Sequence, residues 1–252
     1  MAQYTLKQKL LSCLFYARLV LVSFLYCFTV GLGFAAVAFF QTGKRRQITW
    51  RWAIKYYGKT VLALYGYPYI KIKYKDLAPE EKEPGVFILN HRSGSDGFLV
   101  AFLPGGVIQV INDWPFKLFF FGIFARLGGY FNIKGMPWER FLQEAGSCIA
   151  QDRFSVVGFP EGTRSGCSRM GKFHGALFRL AQEVSCPVYP VVVMGNDKIP
   201  DLNFVMHSGT IEIFKLPSVK PEEFAGWSAY KLKNHVKDQM AAKIKELDER
   251  TP

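Results

Sequence analysis

A histidine and an aspartate stand five residues apart in a short polar segment that follows an apolar run. His91 and Asp96 lie in the sequence Asn-His-Arg-Ser-Gly-Ser-Asp of residues 90–96, directly after the strand-like residues 85–89. An imidazole that is oriented by a carboxylate can take a proton from a hydroxyl group, which is general-base catalysis. The spacing of these two residues therefore predicts a catalytic base.

A second polar segment ends another apolar run further along the chain. Residues 159–164 read Phe-Pro-Glu-Gly-Thr-Arg and close the strand-like residues 155–159. Arg164 is the first candidate for holding an acceptor phosphate or a comparable anion, since a guanidinium group can bind two phosphate oxygens at once. The sequence also allows a local ion pair between Glu161 and Arg164 that has no role in substrate binding.

Together, the NHxxxxD pattern of residues 90–96 and the FPEGTR pattern of residues 159–164 resemble the glycerolipid acyltransferase family typified by 1-acyl-sn-glycerol-3-phosphate acyltransferases. Residues 129–134 approximate the G-x-F-x-x-R block of that family, and residues 188–193 approximate its Pro-containing strand. Lys134 stands where the family usually has arginine, and lysine keeps the charge without the planar fork that grips phosphate in two places. The resemblance covers about residues 71–214.

The resemblance implies direct attack of an acceptor hydroxyl on a thioester, with His91 as the base and Asp96 as its partner. No G-x-S-x-G elbow occurs in the chain, and the serines of the first motif are interpreted as turn residues. Glu161 would bond a glycerol hydroxyl or brace the arginine, and Gly162 would let the backbone approach closely. The substrate-binding set implied by the resemblance is Glu161, Gly162, Thr163, Arg164, Lys134 and Lys172, although Lys172 could equally be solvated.

The expected chemistry uses no cofactor and no metal. Acyl-CoA or acyl carrier protein would serve as the co-substrate. The remaining histidines show no metal-ligand spacing with the cysteines, and the five cysteines form no CxxC pair. The cysteines are therefore interpreted as reduced, mostly packed thiols.

Short β-like runs alternate with helical segments after residue 69, which predicts an α/β fold with a mixed β-sheet flanked by helices, as in glycerol-3-phosphate acyltransferases. Two regions follow: residues 1–69 as a basic, apolar membrane-anchoring helical segment, and residues 70–252 as the catalytic domain, which ends in an amphipathic helix at 228–249. Strands are expected at 70–74, 86–89, 107–111, 130–133, 155–159, 188–193 and 210–214. Helices are expected near 97–102, 115–127, 137–151 and 172–184.

The net charge of +12 is concentrated at the N-terminus. Residues 1–75 contain twelve Lys or Arg and no acid, whereas the rest of the chain has 20 basic and 20 acidic residues. The excess charge is interleaved with apolar and aromatic residues. This pattern indicates an anionic lipid surface rather than a nucleic acid as the partner.

Residues 19–40 carry no charge and are long enough to cross a bilayer as a helix. Arg18 interrupts the apolar stretch and both flanks are basic, so a helix pair that dips into one leaflet is an equal alternative to a true span. A cleaved signal peptide is a third interpretation. Residues 48–69 mix aromatic and cationic side chains, which suits either the lipid headgroup zone or an ordinary helix that covers the core.

The sequence thus favours a membrane-bound acyltransferase with its catalytic domain on the cytoplasmic side. It would move a fatty acyl group from acyl-CoA or acyl carrier protein to the sn-2 hydroxyl of lysophosphatidic acid and give phosphatidic acid for phospholipid biosynthesis. One alternative keeps the chemistry but uses another acceptor, such as a lyso-ornithine lipid or another lysophospholipid. An alternative of another class is a non-catalytic, lipid-binding membrane protein.

Overall fold

The computed structural model describes residues 4–117, 119–167 and 169–249. In this part of the chain a seven-stranded sheet has the strand order β1-β7-β6-β2-β5-β3-β4. Its strands are β1 Ile70–Asp76, β2 Val86–Leu89, β3 Gly106–Ile111, β4 Phe131–Asn132, β5 Phe154–Gly158, β6 Val188–Met194 and β7 Gly209–Lys215.

Strands β6, β2, β5, β3 and β4 run parallel, while β7 pairs antiparallel with β6 and parallel with β1. The expected mixed sheet flanked by helices is confirmed. All four side chains of β2 are buried, because this central strand is covered on both faces. The five parallel strands end at one edge of the sheet, here named the carboxyl edge, and begin at the opposite, amino edge. Ligands of open α/β sheets usually bind at the carboxyl edge.

The helices are α1 Leu6–Tyr26, α2 Leu32–Phe39, α3 Gly43–Tyr65, α4 Asp96–Leu99, α5 Asp113–Phe116, α6 Phe119–Leu127, α7 Trp138–Ala150, α8 Ala176–Glu183 and α9 Ala229–Asp248. A π-helical turn at Cys27–Gly31 joins α1 to α2, and a 3-10 turn at Val100–Phe102 follows α4. Alternate residues of each strand point to opposite faces. Ile88 and Val156 accordingly pack with α7, α8 and α9, while Phe87 and Val157 pack with α1 and α3.

Helices α1 and α2 form one continuous 34-residue helix, Leu6–Phe39, that is long and apolar enough to cross a membrane, and only 11% of its most apolar window is buried. Its start is fixed by a capping box, in which Thr5 accepts a hydrogen bond from the backbone of Gln8. Arg18 donates to the carbonyl of Leu64, 2.7 Å away, in the last turn of α3. The charge that interrupts the apolar stretch therefore ties the two helices of an N-terminal hairpin together.

Helix α3 covers the core, which was the second of the two interpretations of residues 48–69. Trp50 and Ala53 are buried, and Lys55 donates to the carbonyls of Leu103 and Gly105 before β3. Burial lowers the pKa of Lys55 to about 8. These side chains contact the sheet and the segments around it and are not available to lipid headgroups.

Several expected elements differ in extent from the sequence-based prediction. The helix expected over residues 172–184 begins only at Ala176, because the backbone N–H groups of Gly171 and His174 bond to Glu161 and Pro160 instead. The helix expected over residues 115–127 is divided between α5 and α6. The strand expected over residues 130–133 pairs only at Phe131–Asn132.

Candidate active site

His91 follows the last residue of β2 at the carboxyl edge, and Asp96 is the first residue of α4. The imidazole Nδ1 lies 2.7 Å from Asp96 Oδ2. The same carboxylate oxygen accepts the backbone N–H groups of Arg92 (2.7 Å) and Ser93 (3.0 Å), and Asp96 is fully buried. A carboxylate held in this way fixes Nδ1 as the protonated nitrogen and leaves Nε2 as the basic one.

The position of His91 is set by its neighbours on both sides of the strand end. Asn90 exchanges two hydrogen bonds with the backbone of Val193, which extends the pairing of β2 with β6 by one residue. The His91 ring stacks on Phe159 with 4.6 Å between ring centroids, and its side chain stays 23% exposed. The base is therefore rigid yet accessible to a substrate.

Glu161 joins the two motifs through backbone groups. Its carboxylate accepts the N–H of His91 at 2.8 Å and the N–H of Gly171 at 2.6 Å, and the residue is 7% exposed. The loops also pair directly, since Ser165 N–H donates to the carbonyl of His91. In the described part of the chain Glu161 forms no ion pair with Arg164. Glu161 therefore neither braces Arg164 nor pairs with it locally. Its carboxylate is instead bonded to the backbone of the loops that carry His91 and Gly171.

Gly162 and Thr163 form the turn between Glu161 and Arg164. Gly162 has a φ of +70°, a conformation that favours glycine, and its N–H donates to the carbonyl of Phe159. A Cβ at this position would stand 3.5 Å from the ring of His174. Thr163 is exposed. Glycine is therefore needed here for the turn that presents the next two side chains.

Arg164 lies beside the loop that carries His91. Its Cζ stands 4.7 Å from the centroid of the Phe204 ring. A Cβ added to Gly94 would be 3.5 Å from Arg164 Nη1. This Nη1 is shielded from solvent and has no hydrogen-bond partner within residues 4–117, 119–167 and 169–249. The guanidinium group is thus held in place with donor capacity left over for an anion.

Lys134 and Lys172 are exposed and lie further from the dyad. Lys134 follows β4 at the carboxyl edge, three strands away from β2, which corresponds to roughly 14 Å across the sheet. Its backbone N–H donates to Asn132 Oδ1. Lys172 comes directly after Gly171, whose N–H binds Glu161. The structure therefore brings together His91, Asp96, Glu161 and Arg164, with Lys172 near them by chain connection and Lys134 at the periphery.

The loop after β6 belongs to the site and was missed in the sequence. Asn196, fully buried, donates from Nδ2 to Asp96 Oδ1. Gly195 precedes it with a φ of +77°, and a Cβ there would stand 2.2 Å from the carbonyl oxygen of Thr210. The sequence held a signal for this loop, because Asn196 lies shortly after a predicted strand, and the polar segment after another strand was the feature that identified His91.

Two further residues of the first motif, Ser93 and Arg92, are buried, and Ser93 contacts the loop after β6. Ser93 donates its hydroxyl to the carbonyls of Ile199 (2.9 Å) and Pro200 (2.7 Å), as expected for a turn residue. Arg92 is 3% exposed, and burial lowers its pKa while nearby carboxylates, Asp197 first, act in the opposite direction. The segment of residues 90–96 is therefore anchored along most of its length, and the side chain of His91 is its accessible functional group.

The arrangement combines an imidazole base, a carboxylate that orients it, and a guanidinium group with an unused donor. Such a set can activate a hydroxyl group of an anionic molecule. Within the described residues no group of three or more His, Cys, Asp or Glu side chains could hold a metal ion.

Known proteins resemble this chain over the same region. It is 28% identical to a 1-acyl-sn-glycerol-3-phosphate acyltransferase of Limnanthes alba over 71% of this chain and 63% of the relative. It is 27% identical to the enzyme of that name in Saccharomyces cerevisiae over 66% of this chain and 57% of the relative. The chain thus spans about three fifths of the length of these curated relatives.

A solved structure shares the fold. The crystal structure of a 1-acyl-sn-glycerophosphate acyltransferase from Thermotoga maritima superposes with a TM-score of 0.75 and covers 96% of each chain, at 19% sequence identity. A sequence model of the family described as Acyltransferase matches residues 69–194, which span both motifs. Since this match extends over half of the 252 residues, the chain belongs to the acyltransferase family.

Proposed function

We propose that this protein is a membrane-bound acyltransferase that moves a fatty acyl group from a thioester to the sn-2 hydroxyl of lysophosphatidic acid, giving phosphatidic acid. The observation that carries the proposal is the 2.7 Å contact between His91 Nδ1 and Asp96 Oδ2 at the carboxyl edge. The names of the curated relatives support the same acceptor. The thioester, as acyl-CoA or acyl carrier protein, is a co-substrate, and the proposal invokes no cofactor.

In the proposed mechanism, His91 Nε2 takes the proton of the acceptor hydroxyl while its oxygen attacks the thioester carbonyl. Asp96 stabilises the imidazolium ion that forms. The tetrahedral intermediate then collapses, the C–S bond breaks, and the imidazolium ion returns the proton to the leaving thiolate. No acyl-enzyme is needed. The Ser93 hydroxyl is an unsuitable nucleophile because it is buried and donates to two carbonyls.

Arg164 is proposed to hold the acceptor phosphate. Its Nη1 donor has no partner in the described structure, and a guanidinium group can bind two phosphate oxygens. The turn of Gly162 and Thr163 would present it, and the exposed ammonium of Lys172 would add a second charge. Lys134 would contribute from the periphery. Because lysine replaces the family's usual arginine at 134, another lysolipid, such as a lyso-ornithine lipid, remains the rival acceptor.

The exposed apolar surface of the N-terminal hairpin is proposed to lie in one leaflet of the membrane. At one end Tyr4, just before α1, donates to Asp201 in the loop that follows β6 at the carboxyl edge. At the other end Lys44, directly after the hairpin turn, donates to Ser147 and Gln151 near the amino edge. A helix with both ends docked on one domain cannot place those ends on opposite sides of a bilayer. Its exposed apolar residues, including Phe24, Phe28, Phe39 and Phe40, would then enter the lipid.

The sidedness of the catalytic domain is part of the proposal. A cytoplasmic orientation agrees with the basic residues of the N-terminal region, because the cytoplasmic leaflet carries anionic lipid. It also gives the active site access to acyl-CoA or acyl carrier protein.

An acceptor screen tests the proposed substrate. Purified full-length protein in lipid micelles would receive a labelled acyl thioester together with lysophosphatidic acid, a lyso-ornithine lipid, a lysophospholipid, or monoacylglycerol as the phosphate-free control. We expect labelled phosphatidic acid, with monoacylglycerol at least about tenfold poorer because it offers Arg164 no anion. Transfer to another lysolipid but to no lysophosphatidic acid would refute the acceptor. Transfer to none of them would favour a lipid-binding protein without catalysis.

A further inference from the structure

The loop between β6 and β7 stands between helix α1 and Arg164. Asp201 organises its turn, because the Asp201 Oδ1 atom accepts the backbone N–H groups of Asn203 and Val205, each at 2.9 Å. Phe204 has a φ of +61°, which is uncommon for a bulky side chain and requires support from surrounding contacts. The residue is 52% exposed, and yet the Arg164 Cζ lies over its ring, 4.7 Å from the ring centroid. Packing in the core therefore does not explain where this ring is held.

The support for this turn comes from the N-terminal helix. Tyr16 donates its hydroxyl to the carbonyl of Phe204 at 2.7 Å, and Ser12 Oγ accepts the N–H of Met206 at 2.9 Å. Tyr4, just before α1, donates to Asp201 Oδ2 at 2.9 Å. Ser12 and Tyr16 are four residues apart and share one face of the helix. One face of α1 thus forms hydrogen bonds with the turn that carries Phe204.

The electrostatics agree with this geometry. The pKa of Tyr16 is raised, mainly by burial and then by the Asp201 carboxylate, while Arg164 acts in the opposite direction. The Tyr16 hydroxyl therefore lies within electrostatic reach of the Arg164 guanidinium group, although the two residues come from distant parts of the chain.

Contact between an aromatic ring and a guanidinium group has a particular use at an anion site. The ring face attracts the cation and restrains it without neutralising its charge. A carboxylate partner would instead bind its N–H donors and neutralise the charge. Arg164 has the ring contact, and its Nη1 remains without a hydrogen-bond partner within the described residues.

We propose that Phe204 is a positioning residue for the acceptor-binding Arg164, and that Tyr16 holds Phe204 in place. The helix that carries the lipid-facing apolar surface is then also part of the wall of the acceptor site. This inference rests on the proposed function and adds to it a route by which docking of α1 controls acceptor affinity without touching the His91–Asp96 pair.

Substitutions at Phe204 test the first contact. Phe204→Leu removes the aromatic face but keeps an apolar side chain, and we expect the KM for lysophosphatidic acid to rise about fivefold. The kcat and the KM for the acyl thioester should stay within about twofold, because the base is untouched. Phe204→Tyr keeps the ring and should restore the wild-type KM. An unchanged acceptor KM in Phe204→Leu would overturn the proposal, and so would a loss that appears equally in Phe204→Tyr.

The second contact has a matched control inside the hairpin. Tyr16→Phe removes the hydrogen bond to Phe204, whereas Tyr57→Phe removes a hydrogen bond to Ser23 that joins α1 to α3 away from Arg164. We expect Tyr16→Phe to raise the acceptor KM about threefold and Tyr57→Phe to leave it unchanged. Equal effects of the two variants on the acceptor KM would contradict the specific role of Tyr16.

Failure of this inference can be told apart from failure of the proposed function. A wild-type protein that acylates no lysophosphatidic acid would refute the proposed substrate, and with it the role given to Phe204. A wild-type protein that acylates lysophosphatidic acid while Phe204→Leu retains its acceptor KM would refute the positioning role alone.

Discussion

Arg51 and Arg164 are arginines at opposite edges of the sheet, and they differ in what surrounds their guanidinium groups. At the amino edge, Arg51 is 4% exposed, pairs with Asp152 at 3.1 Å and donates to the carbonyl of Gly128. At the carboxyl edge, the Cζ of Arg164 lies over the Phe204 ring, and its Nη1 has no hydrogen-bond partner in the described structure. The first guanidinium group is satisfied by the protein, whereas the second forms no ion pair with a carboxylate within the described residues.

The carboxylates explain this difference. Asp152 at the amino edge faces two cations, Arg51 and Lys44. At the carboxyl edge, the Glu161 carboxylate accepts hydrogen bonds from two backbone N–H groups. The Asp96 carboxylate accepts hydrogen bonds from the His91 imidazole, from the backbone and from the side-chain amide of Asn196. These acids are therefore used in shaping the loops and do not neutralise Arg164. A cleft of about 490 Å³ lies at the amino edge around Arg51.

The largest effect should come from Asp96→Asn. The amide would place N–H groups opposite the donors of the surrounding backbone and imidazole, so that His91 loses its fixed tautomer. We expect kcat to fall about 10³- to 10⁴-fold. Asn196→Ala, which removes one outer donor to the same carboxylate, should cost far less. Steady-state acyl transfer with saturating substrates measures both variants, and a decrease of only a few fold for Asp96→Asn would contradict the proposed dyad.

Arg164→Ala should give the next largest effect. Losing charge-assisted hydrogen bonds to a phosphate corresponds to a rise of about 30-fold in the acceptor KM. The KM for the thioester and the melting temperature should change little, because Arg164 makes no ion pair within the described residues. Kinetics with varied lysophosphatidic acid and fixed thioester test this expectation. An unchanged acceptor KM would remove Arg164 from the binding site.

Arg51→Ala should show the opposite pattern. It leaves Asp152, which is 8% exposed, without its close cationic partner, so the free energy of unfolding should decrease by about 3 kcal/mol. This corresponds to a melting temperature lower by roughly 6–12 °C for a protein of this size. The acceptor KM of the protein that remains folded should match the wild type. A raised acceptor KM with unchanged stability would show that Arg51 binds the acceptor and is not a structural residue, which would contradict the comparison of the two arginines.

Ser93→Ala should have only a small kinetic effect. The hydroxyl donates to two carbonyls, and its loss should reduce the free energy of unfolding by about 1–2 kcal/mol while kcat stays within about threefold. Intact-protein mass spectrometry after incubation with thioester alone should detect no acyl adduct. A complete loss of turnover together with a trapped acyl group on the wild type would indicate an acyl-enzyme.

Sequence patterns predicted the sheet and the two main motifs because those features are local. An apolar run followed by a polar turn identifies a strand end, and the strands that carry His91 and Glu161 are adjacent in the sheet. The short outer strand Phe131–Asn132 and the late start of α8 could not be predicted in this way. Both depend on which distant backbone groups bind Glu161 or pair with β3.

The contacts of Glu161, Phe204 and Tyr16 were also outside the reach of the sequence. Each of these residues contacts a partner far along the chain, and Tyr16 lies in a helix that the sequence assigns only to the membrane. Composition indicated that the N-terminus associates with lipid. It could not indicate that one face of the same helix contacts the loop beside Arg164, because that contact depends on the packed arrangement of the hairpin.

The measurement that tests the central claim most directly is acyl transfer to lysophosphatidic acid by His91→Ala beside His235→Ala. His91 pairs with Asp96 at the carboxyl edge, whereas His235 bonds to Gln239 within α9. We predict that His91→Ala loses about 10³-fold or more of the activity, that His235→Ala keeps it, and that both variants retain the wild-type melting temperature within about 3 °C. Wild-type transfer by His91→Ala would show that the carboxyl-edge imidazole is not the base.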